Sequence, residues 1–257
     1  MADASYLDAV YETGLAALKA ASSTSLARFR KPIDIDLKDD ESPVTVADRE
    51  AEAAARAVLD ARFPEHGFFG EESGSREGAG GTWIVDPIDG TKSFLLGNPL
   101  YGCLIGYLEG ERAEVGFAGM PALGEVWSAV RGRGAFLDGA RITVSGCERL
   151  SEAALLTTSP DFFAGDQLAV LERVSGRARF RRYGGDCYVY LCVAAGWADV
   201  AIEASLQPYD YLPLVPIVEE AGGVITDWQG NPLTLSSDGR VVASATRALH
   251  DEVLALL

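Results

Sequence analysis

The sequence predicts an α+β fold in which helices pack in layers against mixed β-sheets. Apolar residues recur at helical spacing in residues 5–21 and 48–62. Residues 100–145 instead contain short apolar runs that each end at glycine, which is typical of a β-rich region. Residues 153–257 alternate between strand-like and helix-like segments. Such segments bury their apolar faces when helices lie on sheets, so layers of both are expected.

The first half of the chain joins its elements with polar segments. Residues 31–48 are polar and contain proline, which predicts a connecting loop or a hairpin that leads into the helix at 48–62. The glycine- and serine-rich residues 70–81 predict a loop, and residues 82–86 predict a short strand that ends on an acid. Residues 91–97 (TKSFLLG) then predict a helix.

The second half is predicted as alternating strands and helices. Pro213 fits the first turn of a helix at 209–221, whereas Pro216 should kink this helix or delay its start. The whole chain is expected to be one domain, with an α+β half of about 1–145 and an α/β half of about 146–257. The predicted strands are 154–159, 178–183, 198–204, 223–228 and 241–245, and the other predicted helices are 165–175, 186–196 and 246–257.

Charge and composition argue against several classes of protein. The chain has 38 acidic and 22 basic residues and a net charge of −16, which disfavours nucleic acid and anionic membranes as partners. The N-terminus lacks the basic start and apolar run of a signal peptide, and no apolar stretch approaches the roughly 18 residues that a membrane span needs. The four cysteines form no CxxC pair, so a zinc finger or a cysteine nucleophile is not expected. These features predict a cytoplasmic protein.

Residues 83–94, WIVDPIDGTKSF, contain the strongest chemical signal in the sequence. Pro87 stiffens the turn after the strand, so Asp86 and Asp89 are expected to lie close together. Two neighbouring carboxylates without an adjacent basic residue repel each other unless a cation lies between them. Hard divalent cations such as Mg²⁺ prefer such oxygen ligands. Gly90 lets the chain approach a ligand closely, and the N–H groups after it can hold a phosphate.

Each acidic residue that could bind a metal ion also has a purely structural explanation. The DPIDG segment alone fits a turn with a helix-capping aspartate, because Asp, Pro and Gly are common turn residues. The adjacent Glu71 and Glu72 fit a solvated pair in a loop. Asp48 and Asp210 fit helix N-caps, because each precedes a helical run. Together with the paired aspartates, however, these acids favour a shared site.

Four segments together resemble the signature of the inositol monophosphatase family of magnesium-dependent, lithium-sensitive phosphatases. They are SPVTVAD at 42–48, GEES at 70–73, WIVDPIDGTKSF at 83–94 and YDYLPLVPIVEEAGG at 209–223. The segments follow the family's order, they cover nearly the whole chain, and WxxDPIDGTxxF is highly specific. The resemblance implies a layered αβαβα sandwich of the inositol monophosphatase and fructose-1,6-bisphosphatase type, and it implies a homodimer.

The resemblance also implies a site that holds two or three Mg²⁺ ions. Glu71, Asp86 and the backbone carbonyl of Ile88 would bind the first metal ion, and Asp86 would bridge to the second. Asp89 and Asp210 would complete the second metal site.

Catalytic and phosphate-binding roles follow from the same resemblance. Thr91 and Glu71 would orient the attacking water, and Asp48 would support Thr91 from behind. The backbone amides of Gly90 and Thr91, beside Asp89, would hold phosphate oxygens. One metal ion would lower the pKa of a water to make a nucleophile and the other would stabilise the leaving alkoxide, so no covalent phospho-enzyme is expected.

The second half contains the residues that are expected to select the ester. In inositol-specific members of the family the position of Asp186 is usually small and uncharged. Here Asp186 and Glu203 would place two carboxylates near the organic part of the substrate. Such a pair suits an amine or imidazole better than a neutral polyol. Two segments look most like the histidinol-phosphate phosphatase branch: GGDCYVY at 184–190 and LQPYDYLPLVPIVEEAGGVITDWQG at 206–230, which lacks the usual Trp-Asp pair. This resemblance predicts hydrolysis of L-histidinol phosphate to L-histidinol in histidine synthesis. The residues expected to bind substrate are Arg181, Gly185, Asp186, Glu203 and Asp210.

Other functions stay open on the sequence alone. An inositol monophosphatase or a broad sugar-phosphate phosphatase is the main alternative, and nucleotide 3′-phosphatases and fructose bisphosphatases share the metal motif. Arg181 and Arg182 could hold the second phosphate of a nucleotide. Asp186 could cap the helix that follows it, and Glu203 could be a solvent-facing strand residue. A non-catalytic phosphate- or metal-binding protein is disfavoured, because the metal-binding acids and the water-orienting threonine are all present.

Overall fold

A computed structural model describes residues 4–32, 35–37 and 43–257 of the chain. The N-terminal helix α1 (Ala4–Arg28) continues past its predicted end at residue 21. Strands β1 (Ile35–Leu37) and β2 (Pro43–Thr45) pair antiparallel, as the hairpin alternative predicted, and the residues that connect them lie outside the described ranges. Helix α2 (Val46–Arg62) follows directly and confirms the helix predicted at 48–62.

An eight-stranded sheet occupies the first half of the chain. Its order is β10-β9-β8-β7-β6-β5-β3-β4, in which β3 and β5 are parallel and the other neighbours are antiparallel. Strand β4 was predicted as loop, because its short polar sequence GSR has no apolar alternation and forms an edge of the sheet. The strands are β3 (Gly67–Gly70), β4 (Gly74–Arg76), β5 (Thr82–Asp89), β6 (Gly102–Glu109), β7 (Arg112–Met120), β8 (Glu125–Val130), β9 (Gly134–Leu137) and β10 (Ala140–Ile142).

A five-stranded mixed sheet occupies the second half, with the order β12-β11-β13-β15-β14. Each of its strands was predicted from the sequence, and so were three helices around it. The strands are β11 (Ala154–Thr157), β12 (Phe180–Tyr183), β13 (Val200–Glu203), β14 (Val224–Asp227) and β15 (Val241–Ser244), and the helices are α4 (Gln167–Ser175), α5 (Tyr188–Ala194) and α8 (Arg247–Leu254).

The helix predicted at 209–221 is two helices. These are α6 (Pro208–Tyr211) and α7 (Leu214–Glu220), and Pro213 stands at the N-cap of α7. Proline has no N–H to donate, so a continuous helix through Pro213 would lack a backbone hydrogen bond. Pro216 falls in the first turn of α7, where the N–H has no partner within the helix, so it delays the start of the helix as expected.

Three large apolar clusters pack five layers together, since the middle cluster contacts the central helices and both sheets, and this confirms the αβαβα sandwich. The first cluster joins α1 and α2 to the eight-stranded sheet, with Leu59 and Trp83 among its buried residues. The second lies between the two sheets around α5 and α7, and it includes Trp127 and Ile217. The third joins α4 and α8 to the outer face of the five-stranded sheet. Among the described residues, no helix is both long enough and apolar enough to cross a membrane.

Candidate active site

A cavity of about 250 Å³ lies where β5 and the short helix α3 (Thr91–Leu95) meet β13, α5 and α6. The first half of the chain contributes six of the predicted site residues to its wall. They are Glu71, Asp86, Ile88, Asp89, Gly90 and Thr91. The second half contributes Asp186, Glu203 and Asp210. The two halves therefore build one cavity together.

Asp86, Asp89 and Asp210 form a tight cluster of carboxylates. One oxygen of each lies within 4.8 Å of the others. Both Asp86 and Asp89 lie at the end of β5, and the pairing of β5 with β6 shifts register between them. The N–H of Ile88 donates to Oδ1 of Asp86 at 3.0 Å, which fixes that carboxylate in the turn.

Asp210 and Asp48 each stand in the first turn of a helix and do not occupy its N-cap. The N-caps are Gln207 for α6 and Thr45 for α2. Pro208 favours the first helical position, so α6 begins before Asp210. Each acid instead closes a capping box, in which its carboxylate accepts from the N–H of the N-cap residue, at 2.7 Å for Asp210 and 2.8 Å for Asp48. Both acids therefore lie three residues after the N-cap, so the prediction that they are N-caps was wrong. The capping hydrogen bond leaves each carboxylate with further oxygen lone pairs.

Asp48 lies behind Thr91, as the resemblance implied. The Asp48 side chain is buried, and its Oδ2 accepts from the Thr45 hydroxyl at 2.6 Å. Its other oxygen, Oδ1, lies 3.5 Å from the hydroxyl of Thr91. That hydroxyl also lies 3.3 Å from the carbonyl oxygen of Ile88. The two acceptors limit the directions in which the Thr91 O–H can point.

Burial and mutual repulsion raise the pKa values of the clustered carboxyl groups. Burial raises the pKa of Asp86 well above its usual value, and the charges of Glu71, Asp89 and Asp210 add to this. The pKa of Asp210 is raised by burial and by Asp89. The pKa of Asp89 rises to about 7, mainly through burial and then Asp186, although the N–H of Cys187 donates to its Oδ2 at 2.6 Å.

This donor set fits a hard divalent cation. None of the ion pairs in the described parts of the chain includes Asp86, Asp89 or Asp210. Asp86 is buried, and Asp89 and Asp210 are half-buried. Carboxylates that are close together, shielded from water and without a basic partner keep a proton or bind a metal ion. Mg²⁺ prefers oxygen ligands of this kind, so the cluster matches the predicted metal site in chemistry.

Glu52, which the sequence reasoning missed, holds the loop that contains Glu71. The Glu52 side chain is buried, and its two oxygens accept from the N–H groups of Glu72 and Ser73, each at 2.8 Å. Gly70 makes this approach possible, because a Cβ there would lie 2.4 Å from Oε2 of Glu52. Glu52 lies among the buried alanines of α2. A glutamate on the apolar face of a predicted helix was the signal that could have identified it.

Glu203 is a buried residue that lines the cavity. Only 1 % of the residue is exposed, so the solvent-facing alternative was wrong. Its Oε1 accepts from the N–H of Thr158 at 2.5 Å. Burial raises the pKa of Glu203 to about 8. A cation beside this carboxylate would favour its charged form.

Asp186 lies in a left-handed turn, with φ of 46°, and it does not cap α5. Its Oδ2 accepts from the hydroxyl of Ser93 at 2.7 Å. The first N–H before α5, that of Cys187, instead donates to Asp89. Burial raises the pKa of Asp186, while the hydrogen bond from Ser93 and then the charge of Lys92 partly offset the shift. Lys92 is a basic residue of the cavity wall that was not predicted as part of the site.

Arg181 and Gly185 do not line this cavity in the described structure. Arg181 lies on the exposed strand β12, and its Nη1 donates to Glu172 and to Ser175, each at 2.7 Å. Gly185 lines a neighbouring cavity and directly precedes Asp186 in the chain. Both residues were predicted from their position in a motif, which does not give the direction of a side chain on an edge strand.

Comparisons with known proteins agree with this geometry. Residues 6–257 match the model of the inositol monophosphatase family. The chain is 40% identical over 258 residues to the chloroplastic bifunctional phosphatase IMPL2 of Arabidopsis thaliana, which covers 96% of this chain and 75% of that protein. It is 41% identical over 233 residues to a histidinol-phosphatase of Mycobacterium tuberculosis, with 87% of each chain covered.

A solved structure supports the same assignment. An inositol monophosphatase from Zymomonas mobilis superimposes with a TM-score of 0.90 at 37% identity, and the match covers 99% of both chains. The metal-binding chemistry of the carboxylate cluster and the order of the motifs agree with this likeness. The chain therefore belongs to the inositol monophosphatase family of magnesium-dependent phosphatases, which hydrolyse phosphate monoesters.

Proposed function

We propose that the chain hydrolyses L-histidinol phosphate to L-histidinol and inorganic phosphate. The main support is the pair of carboxylates Asp186 and Glu203, which line the same cavity as the metal-binding cluster. Burial raises the pKa of both, so a cationic ligand would compensate for the cost of keeping them charged. L-Histidinol phosphate carries an ammonium group, whereas an inositol phosphate has only hydroxyls in its organic part. The name of the M. tuberculosis relative points the same way.

In this proposal Glu71, Asp86, Asp89 and Asp210, with the carbonyl of Ile88, hold two or three Mg²⁺. The bound ions would supply an activated water and would neutralise charge on the phosphoryl group and the leaving oxygen. The cluster of oxygen ligands without a basic partner supports this assignment.

The remaining residues orient the reactants. The Thr91 hydroxyl has acceptors in Asp48 and Ile88, so its lone pairs are free to accept from the attacking water and aim it. Gly90 precedes α3 with φ of 81°, a conformation that suits glycine, and both Gly90 and Thr91 line the cavity. Their backbone amides would hold the phosphate oxygens. The expected homodimer, the cytoplasmic location and the division into two halves stay predictions.

The deciding experiment is phosphate release from L-histidinol phosphate and from myo-inositol 1-phosphate, with and without Mg²⁺. We expect release that depends on Mg²⁺ and a strong preference for L-histidinol phosphate. Asp186→Asn keeps the size of the side chain and removes its charge. A hydrogen bond to a charged group contributes about 1.5–3 kcal/mol, so kcat/KM for the amine-containing ester should fall roughly 10- to 150-fold.

The inositol ester is the internal control, because Asp186→Asn should change its turnover little. Equal losses on both esters would show that Asp186 does not select the substrate. The second candidate is an inositol monophosphatase, which the Z. mobilis structure favours. A wild-type preference for myo-inositol 1-phosphate would establish that candidate instead. No Mg²⁺-dependent release from either ester would contradict both.

A further inference from the structure

Tyr190 has a buried hydroxyl on the wall of the proposed active site. It lies on α5, lines the cavity and is only 2% exposed. Among the atoms of the described residues, its hydroxyl has no hydrogen-bond partner. A buried polar group without a partner costs about 1–3 kcal/mol of stability. Sites that break a packing rule in this way are often functional, so a partner outside the chain is expected.

The neighbours of Tyr190 define what that partner can be. Glu203, Asp210 and Asp89 are close enough for their charges to oppose ionisation of the phenol, after burial itself. The pKa of Tyr190 is therefore well above its usual value, and the hydroxyl keeps its proton. Carboxylates accept hydrogen bonds and do not donate them when ionised. The phenol is thus a hydrogen-bond donor close to three carboxyl groups in the lining of the cavity.

Another hydroxyl on this wall is already engaged. Ser205 donates to the carbonyl oxygen of Phe162 at 2.8 Å. By contrast, the Tyr190 hydroxyl can donate to a substrate atom beside Glu203 without breaking a hydrogen bond within the described chain. Neutral imidazole offers such an acceptor at one ring nitrogen, and the hydroxyl oxygens of a polyol offer others.

We propose that the Tyr190 hydroxyl donates a hydrogen bond to an acceptor atom in the organic half of the substrate, next to Glu203. This role differs from that of Asp186, which would select a cation, because Tyr190 selects an acceptor. The inference rests on the proposed phosphatase function. It assigns Tyr190 to substrate binding. The roles proposed for the metal-binding residues and for the attacking water stay the same.

The test compares Tyr190→Phe with the wild type on esters that have an acceptor and on one that has none. L-Histidinol phosphate and myo-inositol 1-phosphate have acceptors in their organic parts, whereas phenyl phosphate has none. An acceptor left unpaired in a buried site costs about 1–3 kcal/mol. We expect kcat/KM to fall roughly 5- to 150-fold for the better of the first two esters, and less than twofold for phenyl phosphate.

A thermal melt separates this role from a structural one. Tyr190→Phe removes a buried hydroxyl without a partner, so its Tm should equal or exceed that of the wild type. Tyr188→Phe is the matched control on the same helix. The Tyr188 hydroxyl lies 3.5 Å from Glu125, and Tyr188 lines the neighbouring cavity. Its loss should change the relative rates on the three esters little.

Equal losses on all three esters, a clear fall in Tm, or unchanged kinetics in Tyr190→Phe would each overturn the role of Tyr190. In those cases Mg²⁺-dependent release by the wild type would leave the proposed phosphatase function standing. A wild type that releases phosphate from none of the esters would contradict that function, and the role of Tyr190 with it.

Discussion

Gly90 stands at a position that excludes a side chain for two separate reasons. Its φ of 81° lies in the left-handed region, which costs other residues about 1 kcal/mol or more. An added Cβ would also lie 2.7 Å from the Cγ of Asp186. The second effect is specific to this site, because it would displace a carboxylate that is proposed to select the substrate.

Gly90→Ala should therefore lower both stability and activity. We expect a loss of about 1–3 kcal/mol in the free energy of unfolding and at least a tenfold fall in kcat/KM for L-histidinol phosphate. Gly132→Ala is the control, because Gly132 has φ of 79° and nothing within 4 Å of its Cβ position. Chemical denaturation and steady-state kinetics on both variants measure the two effects. A Gly90→Ala variant as active as Gly132→Ala would show that the contact with Asp186 is unimportant.

Single residues were predictable where their chemistry is unusual for their position. The Asp86–Asp89 pair could be identified because two acids around a proline are costly without a cation. Tyr190 could not, because one tyrosine on an apolar helix looks like an ordinary core residue. Arg181 was expected at the substrate, yet its side chain bonds to Glu172 and Ser175 on an exposed edge. The direction of a side chain depends on tertiary packing, which a motif does not contain.

At the scale of elements, α2 positions the loop between β3 and β4 through one side chain. Glu52 accepts from two consecutive N–H groups, those of Glu72 and Ser73. Loops that contain ligands need such supports, since outer partners commonly change metal affinity 10- to 100-fold. Glu52 thus connects a helix of the outer layer to the proposed metal ligand Glu71.

Glu52→Gln replaces one acceptor oxygen with an NH₂ group and should break one of the two bonds. We expect a roughly 10-fold or larger increase in the Mg²⁺ concentration needed for half-maximal activity. Glu50→Gln is the matched control on the same helix, because Glu50 forms an exposed ion pair with Arg28 at 2.8 Å. Magnesium titrations of activity distinguish the two. An unchanged magnesium requirement in Glu52→Gln would show that the loop holds its position without this support.

The elements themselves were largely predictable from apolar spacing and from glycine and proline. Helix α2 was predicted almost to its ends, since its apolar face has a clear period. Strand β4 was missed because its three residues, Gly74–Arg76, include no apolar side chain and therefore show no period. The break between α6 and α7 was foreseen only as a kink or a delay, because proline marks an interruption without fixing the path of the chain after it.

At the scale of the molecule, the cavity belongs to both halves of the chain. Asp86 and Asp89 come from β5, whereas Asp210 and Glu203 come from α6 and β13. A shared apolar cluster between the two sheets holds these elements together. The resemblance to the inositol monophosphatase family implied that these acids would meet. Their distances and the burial of Glu203 could not be predicted, because they depend on how the two sheets pack.

The same packing gives the metal-free protein an unusual dependence on pH. The pKa of Asp89 is about 7 in the folded chain against a usual 3.8, and that of Glu203 is about 8 against 4.5. At a pH between the usual pKa and the raised pKa of each group, the folded chain binds more protons than the unfolded chain. The free energy of unfolding therefore falls as pH rises. His250 acts in the opposite direction, since burial lowers its pKa from 6.5 to about 4. Its contribution is complete above about pH 6.5, so it does not offset the effect of the carboxylates in the range above.

Without Mg²⁺, the Tm should therefore fall between about pH 6.5 and 8.5, and Mg²⁺ should oppose this fall. At a concentration about 100-fold above its Kd, a ligand adds about 2.7 kcal/mol, which corresponds to roughly 5–10 °C for a chain of this size. This shift should be largest at high pH, because protons and Mg²⁺ compete for the same carboxylates.

Asp210→Asn removes one carboxylate of the cluster, so it should flatten the metal-free pH profile and reduce the shift caused by Mg²⁺. Thermal melts across this pH range, with and without Mg²⁺, measure both effects. A Tm that is constant or rises without Mg²⁺, or a magnesium shift that is independent of pH, would mean that the clustered carboxylates are already ionised in the metal-free chain.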